Sequence, residues 1–147
     1  MPAPYKMVMS VITKKIKLST KGDTDIINIT AEAASAVLSS ELKNGSVTIF
    51  VPGSTGSITT VEYEPGLVED LKKFFEKLAP KSGTYQHNIR WKDGNGYAHV
   101  RSSLLGPGIT VPFMNNKMQL GTWQQIIFID FDNRPRDREI IIQIIGE

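Results

Sequence analysis

Leu120-Gly121-Thr122-Trp123-Gln124-Gln125-Ile126-Ile127-Phe128-Ile129-Asp130-Phe131, read with Arg138-Glu139-Ile140-Ile141-Ile142-Gln143-Ile144-Ile145, is the stretch that decides the fold. Each apolar run is bounded by turn residues, as strands are, and Asp132-Asn133-Arg134-Pro135 joins the two. Working upstream, residues 109–114 and 117–120 flank Asn115-Asn116, a pair suited to a tight hairpin turn. Residues 46–51 and 58–63 read as two more strands around the small-residue segment Pro52-Gly53-Ser54-Thr55-Gly56-Ser57, and residues 25–29 as another. At the N-terminus, Tyr5, Met7, Met9 and Val11 alternate over a strand spanning residues 5–18, with later lysines keeping one face wet.

Three helices fit between these strands. Thr30 is placed to cap one that runs through Leu42 on Ala31, Ala33, Ala34 and Ala36, with Asn44-Gly45 ending it. Pro65 opens a second, whose Leu67, Leu71, Phe74, Phe75 and Leu78 share a face before Pro80 stops it. A third covers residues 97–105 and ends at Gly106-Pro107-Gly108, while His87 falls in the loop before it. Strand exceeds helix and βαβ alternation is absent, so the expected class is α+β on mainly antiparallel sheet. No repeat or linker divides the 147 residues, which read as one domain over 1–147.

The chain has no cysteine, which removes disulfides, thiolate metal sites and thiol nucleophiles. A net charge of +2 does not call for nucleic acid. The Arg134, Arg136 and Arg138 cluster is interleaved with Asp132 and Asp137, reads as surface pairing, and lacks the aromatics of a nucleic-acid motif. No apolar run approaches the roughly 20 residues of a membrane span. With no signal-peptide pattern at the start, the reading is a soluble cytoplasmic protein.

Both histidines lie close in sequence. His87 and His99 with a nearby carboxylate could hold a divalent metal, or each could be a separate hydrogen-bonded structural residue. Asp93-Gly94-Asn95 starts like a calcium loop, but Ala98 and Leu104 stand where glycine and glutamate are required. Gly53-Ser54-Thr55-Gly56-Ser57 suits an anion through its amides and hydroxyls, yet lacks the Gly-Lys-Ser/Thr ending of a nucleotide loop; a plain strand-to-strand turn fits as well. Glu62 and Glu64 share a side near a strand end, as metal ligand, general base or solvated edge. Arg101, near His99 and the glycine-rich turns, is the stronger phosphate candidate among the arginines.

Taken in order, Gly53-Ser54-Thr55, Glu62, Asp70-Leu71, Tyr85-x-His87, Asn95-x-x-x-His99, Ser103-Leu104-Leu105-Gly106, Val111-Pro112, Leu120-Gly121-Thr122-Trp123-Gln124, Asp130-x-Asp132 and Arg138 resemble the YjbQ-like family over residues 5–147. The resemblance implies two sheets and helices around one core, assembled as a homotrimer. It also implies a link to a secondary thiamine-phosphate synthase activity, joining a pyrimidine diphosphate to a thiazole phosphate with loss of pyrophosphate. Histidines are then expected to gather into a metal- or anion-binding pocket. Many members carry His-Thr-Thr where this chain has Gly53-Ser54-Thr55, so a three-histidine site cannot be carried over. Glu62 or water would complete the set, or the pocket would take an anion with no metal. Asp130 stands where a glutamate is common.

On this reading His87, His99 and Glu62 hold zinc or magnesium, which draws charge off the leaving pyrophosphate. His99, Glu62 and Asn95 form the catalytic set. Ser54, Thr55 and Arg101 contact phosphate oxygens of a small phosphorylated metabolite. Gln124, like Asn95, orients substrate or the imidazoles, and Trp123 either stacks on a flat ring or anchors the last sheet. The rival is a non-enzymatic trimer that binds such a metabolite without metal.

Overall fold

A computed structural model describes every residue except Ala3 and Tyr5. In chain order the elements are β1 (Ser10–Thr20), β2 (Asp25–Asn28), α1 (Thr30–Ser39), β3 (Gly45–Phe50), β4 (Gly56–Val61), α2 (Pro65–Leu78), α3 (Gln86–Trp91), α4 (Gly96–Leu105), β5 (Gly108–Met114), β6 (Lys117–Met118), β7 (Gln125–Asp130) and β8 (Arg136–Gly146). Five strands form one sheet in the order β1-β8-β3-β5-β6, and three form another in the order β2-β7-β4. Every pairing is antiparallel, so the class is α+β as the sequence predicts. Among the described residues no helix is long and apolar enough to cross a membrane.

β7 explains the arrangement. Its Ile126 and Phe128 join the core shared with the five-stranded sheet, through Val47, Ile49, Ile140, Ile142 and Ile144, and with Ala33 and Val37 of α1. Its Ile127 and Ile129 point the other way, into a second core with Phe75 of α2 and Tyr97 and Ala98 of α4. A strand covered on both faces has no wet side, which is why its sequence is continuously apolar where β1 alternates. The three-stranded sheet is therefore the middle layer, with the larger sheet on one side and α2 and α4 on the other.

Several boundaries differ from the sequence reading, each for a local reason. β1 starts at Ser10 and has the opposite phase: Met7, Met9 and Val11 are exposed, and Ile16 and Leu18 pack inward. Tyr5 lies outside the described residues. Thr30 is the first helical residue instead of the cap, and its hydroxyl donates to Asn28 Oδ1 at 2.6 Å while accepting the Ile126 N–H at 2.8 Å. That helix stops at Ser39, and Glu41, at φ +62°, takes the left-handed position expected of Asn44-Gly45. α2 turns only Phe75, Leu71 and Val68 inward, leaving Phe74 and Leu78 exposed. Asn115 and Asn116 do form the tight turn, with φ of +50° and +64°.

The largest departure is electrostatic. Asp132, read as part of a surface cluster, is fully buried, and so is Asp130. Arg138 Nε and Nη2 grip Asp130 at 2.9 and 2.8 Å, and Thr20 Oγ1 donates to it at 2.6 Å. Arg136 donates to Asp132 through Nε at 2.8 Å and Nη2 at 2.6 Å. Removing one side of a buried pair strands the other charge away from water. Arg138→Met is accordingly expected to cost about 3–5 kcal/mol in urea unfolding at neutral pH. Adding Asp130→Asn to that variant should recover part of the loss.

Candidate functional site

The two histidines meet where α3 and α4 cross. α3, absent from the sequence reading, lifts His87 to within 4.3 Å of His99 between ring centroids, with the planes tilted by 40°. Glycine permits the approach: a Cβ at Gly96 would meet Tyr85 Cβ at 2.6 Å, and the Gly96 N–H donates to Asn88 Oδ1 at 2.9 Å. Asp93 Oδ1 lies 3.3 Å from His87 Nδ1, without the geometry of a hydrogen bond. His99 is held below the ordinary imidazole value, first by burial and then by His87; Asp132 and Asp93 pull the other way without prevailing. These surroundings therefore favour the uncharged ring.

Beneath the pair sits the buried acid network. Asn95 precedes α4 and donates from Nδ2 to Asp132 Oδ1 at 3.3 Å, which fixes the amide and leaves its buried Oδ1 without a partner. Burial alone would raise the Asp132 carboxyl, but the Asn133 N–H, Asn95 and Arg136 outweigh it and hold the carboxyl below its usual range. Thr55 Oγ1 donates to Asp132 Oδ2 at 3.2 Å and accepts from Arg138 Nη2 at 2.8 Å. Arg138 is held above its ordinary value, chiefly by its hydrogen bond to Asp130. The network thus joins α4, the 53–55 loop and the ends of β7 and β8.

A cavity of about 490 Å³ opens beside His99, lined by Gly53, Ser54, Ser102, Ser103, Gly106 and Pro107 among others. Gly53 has φ +141°, where any other residue is strained, and a Cβ there would come 3.2 Å from Arg138 Nη1. The loop is shaped around the missing side chain, so a histidine at this position would be strained unless the backbone moved.

The structure thus brings His87, His99, Asn95, Ser54 and Thr55 together, with the Thr55 hydroxyl already engaged. Four other candidates are elsewhere. Arg101 is buried, donating to Ala79 O at 3.0 and 2.8 Å, Thr24 Oγ1 at 3.0 Å and Glu76 Oε2 at 2.7 Å. It fastens α2 to α4 and is not free for phosphate. Glu62 follows the far end of β4, where Val61 pairs with Gln125, whereas Gly56 pairs with Asp130 at the histidine end. Five strand steps, about 17 Å, separate the two ends. Trp123 and Gln124 lie at that same far end, and Trp123 anchors no core. The described residues of one chain include no group of three histidine or acidic side chains that could hold a metal ion. The expected His87, His99 and Glu62 set is not assembled within the chain.

Asp132 and Arg136 are the site residues that sequence reasoning missed. The available signal was Asp130-x-Asp132 placed just after a strand apolar on both faces.

An α+β core carrying a histidine pair over a buried acid network narrows the class. The sequence profile described as UPF0047 protein YjbQ-like matches residues 14–147, and the chain belongs to this family. It is 36% identical over 139 residues to a UPF0047 protein of Methanothermobacter thermautotrophicus, covering 95% of each chain. A solved structure of a YbjQ-like protein from Sulfolobus solfataricus superposes with a TM-score of 0.91 at 33% identity, covering 95% of this chain and 100% of that one. Another family member, from Clostridium acetobutylicum, does so at 0.82 and 36% identity, covering 89% and 98%.

The lowered His99 value has a signed consequence for stability. As pH falls below about 6.5, the ordinary value, the unfolded chain takes up a proton that the folded ring resists. Stability should be full above that value and decline until pH passes the lower folded value. Urea midpoints from pH 8 to 5 should fall less steeply for His99→Gln than for the parent.

Proposed function

We propose that the cleft beside the histidine pair receives the phosphate or pyrophosphate group of a small phosphorylated heterocycle, in a transfer reaction of the thiamine-phosphate synthase type. The observation that carries this reading is the contact of two imidazoles, one favoured in its neutral form by its surroundings, at the edge of a cavity lined by a glycine–serine loop. Ser54 and the loop amides supply donors for phosphoryl oxygens. Asn95, held by Asp132, acts as a positioning residue for His99. In the transfer, the bond from the pyrimidine's exocyclic methylene to the diphosphate oxygen breaks, with its electron pair leaving on oxygen. The thiazole nitrogen lone pair forms the new C–N bond. The neutral His99 ring donates a hydrogen bond from its N–H to the departing pyrophosphate and so stabilises the charge that develops on its oxygens.

Zinc or magnesium belongs to the resemblance, but the described ligands of one chain do not fit a three-residue set, so no step is routed through a metal. A second reading, a metabolite-binding module without chemistry, is favoured by one feature: among the described residues, His99 is the only ionisable one lining the cavity. Turnover separates the two. Purified protein supplied with the pyrimidine diphosphate and thiazole phosphate should form thiamine phosphate by mass spectrometry, and His99→Ala should lower the rate at least a hundredfold. Full activity in His99→Ala would overturn the enzymatic reading. Pyrophosphate binding that persists in chelator, with no turnover, would establish the module.

A further inference from the structure

The Leu-Gly-Thr-Trp-Gln motif is the most specific feature of the sequence, and the proposed chemistry does not use it. Its polar groups are spent on one another. Gly121 N–H donates to Gln124 Oε1 at 3.0 Å, Gln124 N–H donates to Gly121 O at 3.0 Å, and Gln124 Nε2 donates to Thr60 Oγ1 at 3.1 Å. This locks a turn at the start of β7 whose outcome is to hold the Trp123 side chain in solvent, 73% exposed. Leaving so large an apolar surface in water costs folding free energy, and a rigid turn that enforces the exposure is not serving the core.

Beside the indole lies a concavity of about 330 Å³, lined by Asn28, Glu62, Tyr63, Glu64, Thr122 and Gln125 as well as Trp123. The two carboxylates differ in availability. Glu64 caps α2, accepting the Gly66 N–H at 2.9 Å and the Leu67 N–H. Glu62 is exposed and, among the described residues, has neither ion pair nor side-chain hydrogen bond. The amides are satisfied as well, Asn28 Nδ2 donating to Gln125 Oε1 at 3.3 Å. What the concavity offers is an aromatic face beside one unpaired negative charge. A guanidinium matches both, since it stacks flat on indole while its N–H groups reach a carboxylate.

We infer that Trp123 and Glu62 form a docking site for an arginine presented by a partner polypeptide. Magnitude selects the polypeptide. An exposed cation–π contact and an exposed ion pair together improve affinity by only about tenfold, too little to retain a free small cation. Burying the indole under a chain supplies the remainder, and a rigid tryptophan beside a charge is the usual make-up of an interface hot spot. The site lies at the opposite end of β4 and β7 from the histidine pair and does not depend on the function proposed there.

An array of nonapeptides with a central arginine, paired with the same array carrying neutral citrulline, tests this on the intact protein. Binding should concentrate in the arginine members and fall about two- to fivefold in Glu62→Gln and further in Trp123→Ala. Trp91→Ala, which removes the other exposed tryptophan, should bind as the parent does. Binding indifferent to citrulline, or surviving both Glu62→Gln and Trp123→Ala, would overturn the assignment. So would light scattering showing that Trp123→Ala abolishes self-association, because a second copy of the chain would then be the occupant.

Discussion

Two carboxylates with no access to water, each held by an arginine, are the constraint on which the rest of this structure depends. Asp130 and Asp132 stand at the end of a strand buried on both faces, and neither can rehydrate without unfolding the layer around it. Arg136 and Arg138 approach from β8, Thr20 from β1, Thr55 from the loop before β4, and Asn95 from the start of α4. Such a network does not stabilise more than well-packed apolar residues would. Its value is geometric, because segments far apart in sequence must meet in one arrangement before all its charges are satisfied.

The sheets were legible because their signals are local. The doubly buried run of Ile126 to Ile129, the isoleucines of β8 and the Asn115-Asn116 turn each report their own conformation. Errors fell where a neighbour decides. β1 has apolar residues in both phases near its start, and only pairing with β8 selects Ile16 and Leu18 as the inward set. α3 is six residues with none buried, so no apolar face announced it. Thr30 looked like a cap, but the Ile126 N–H was a better use of its hydroxyl.

The site was half legible for the same reason. His87 and His99 could be named from their rarity and the resemblance, yet their contact depends on a helix the sequence did not reveal. Arg101 looked free because nothing in its own segment pairs with it; its partners Thr24, Glu76 and Ala79 come from elsewhere in the chain. Glu62 was grouped with the histidines by family order, which carries no distance, and the β4–β7 register puts it at the other end. Gly53 reads as a loss in the motif and as a shape in the structure, its backbone being one that histidine does not adopt readily.

The central claim is that the histidine pair and the buried acids form one electrostatic unit, and titrating the imidazoles tests it most directly. With only two histidines, NMR can follow each ring through pH in the parent, His87→Gln and Asp132→Asn. His99 should titrate below the ordinary imidazole value in the parent, be raised when His87 is removed and be lowered further when Asp132 is neutralised. An ordinary His99 titration, unchanged in both variants, would contradict it.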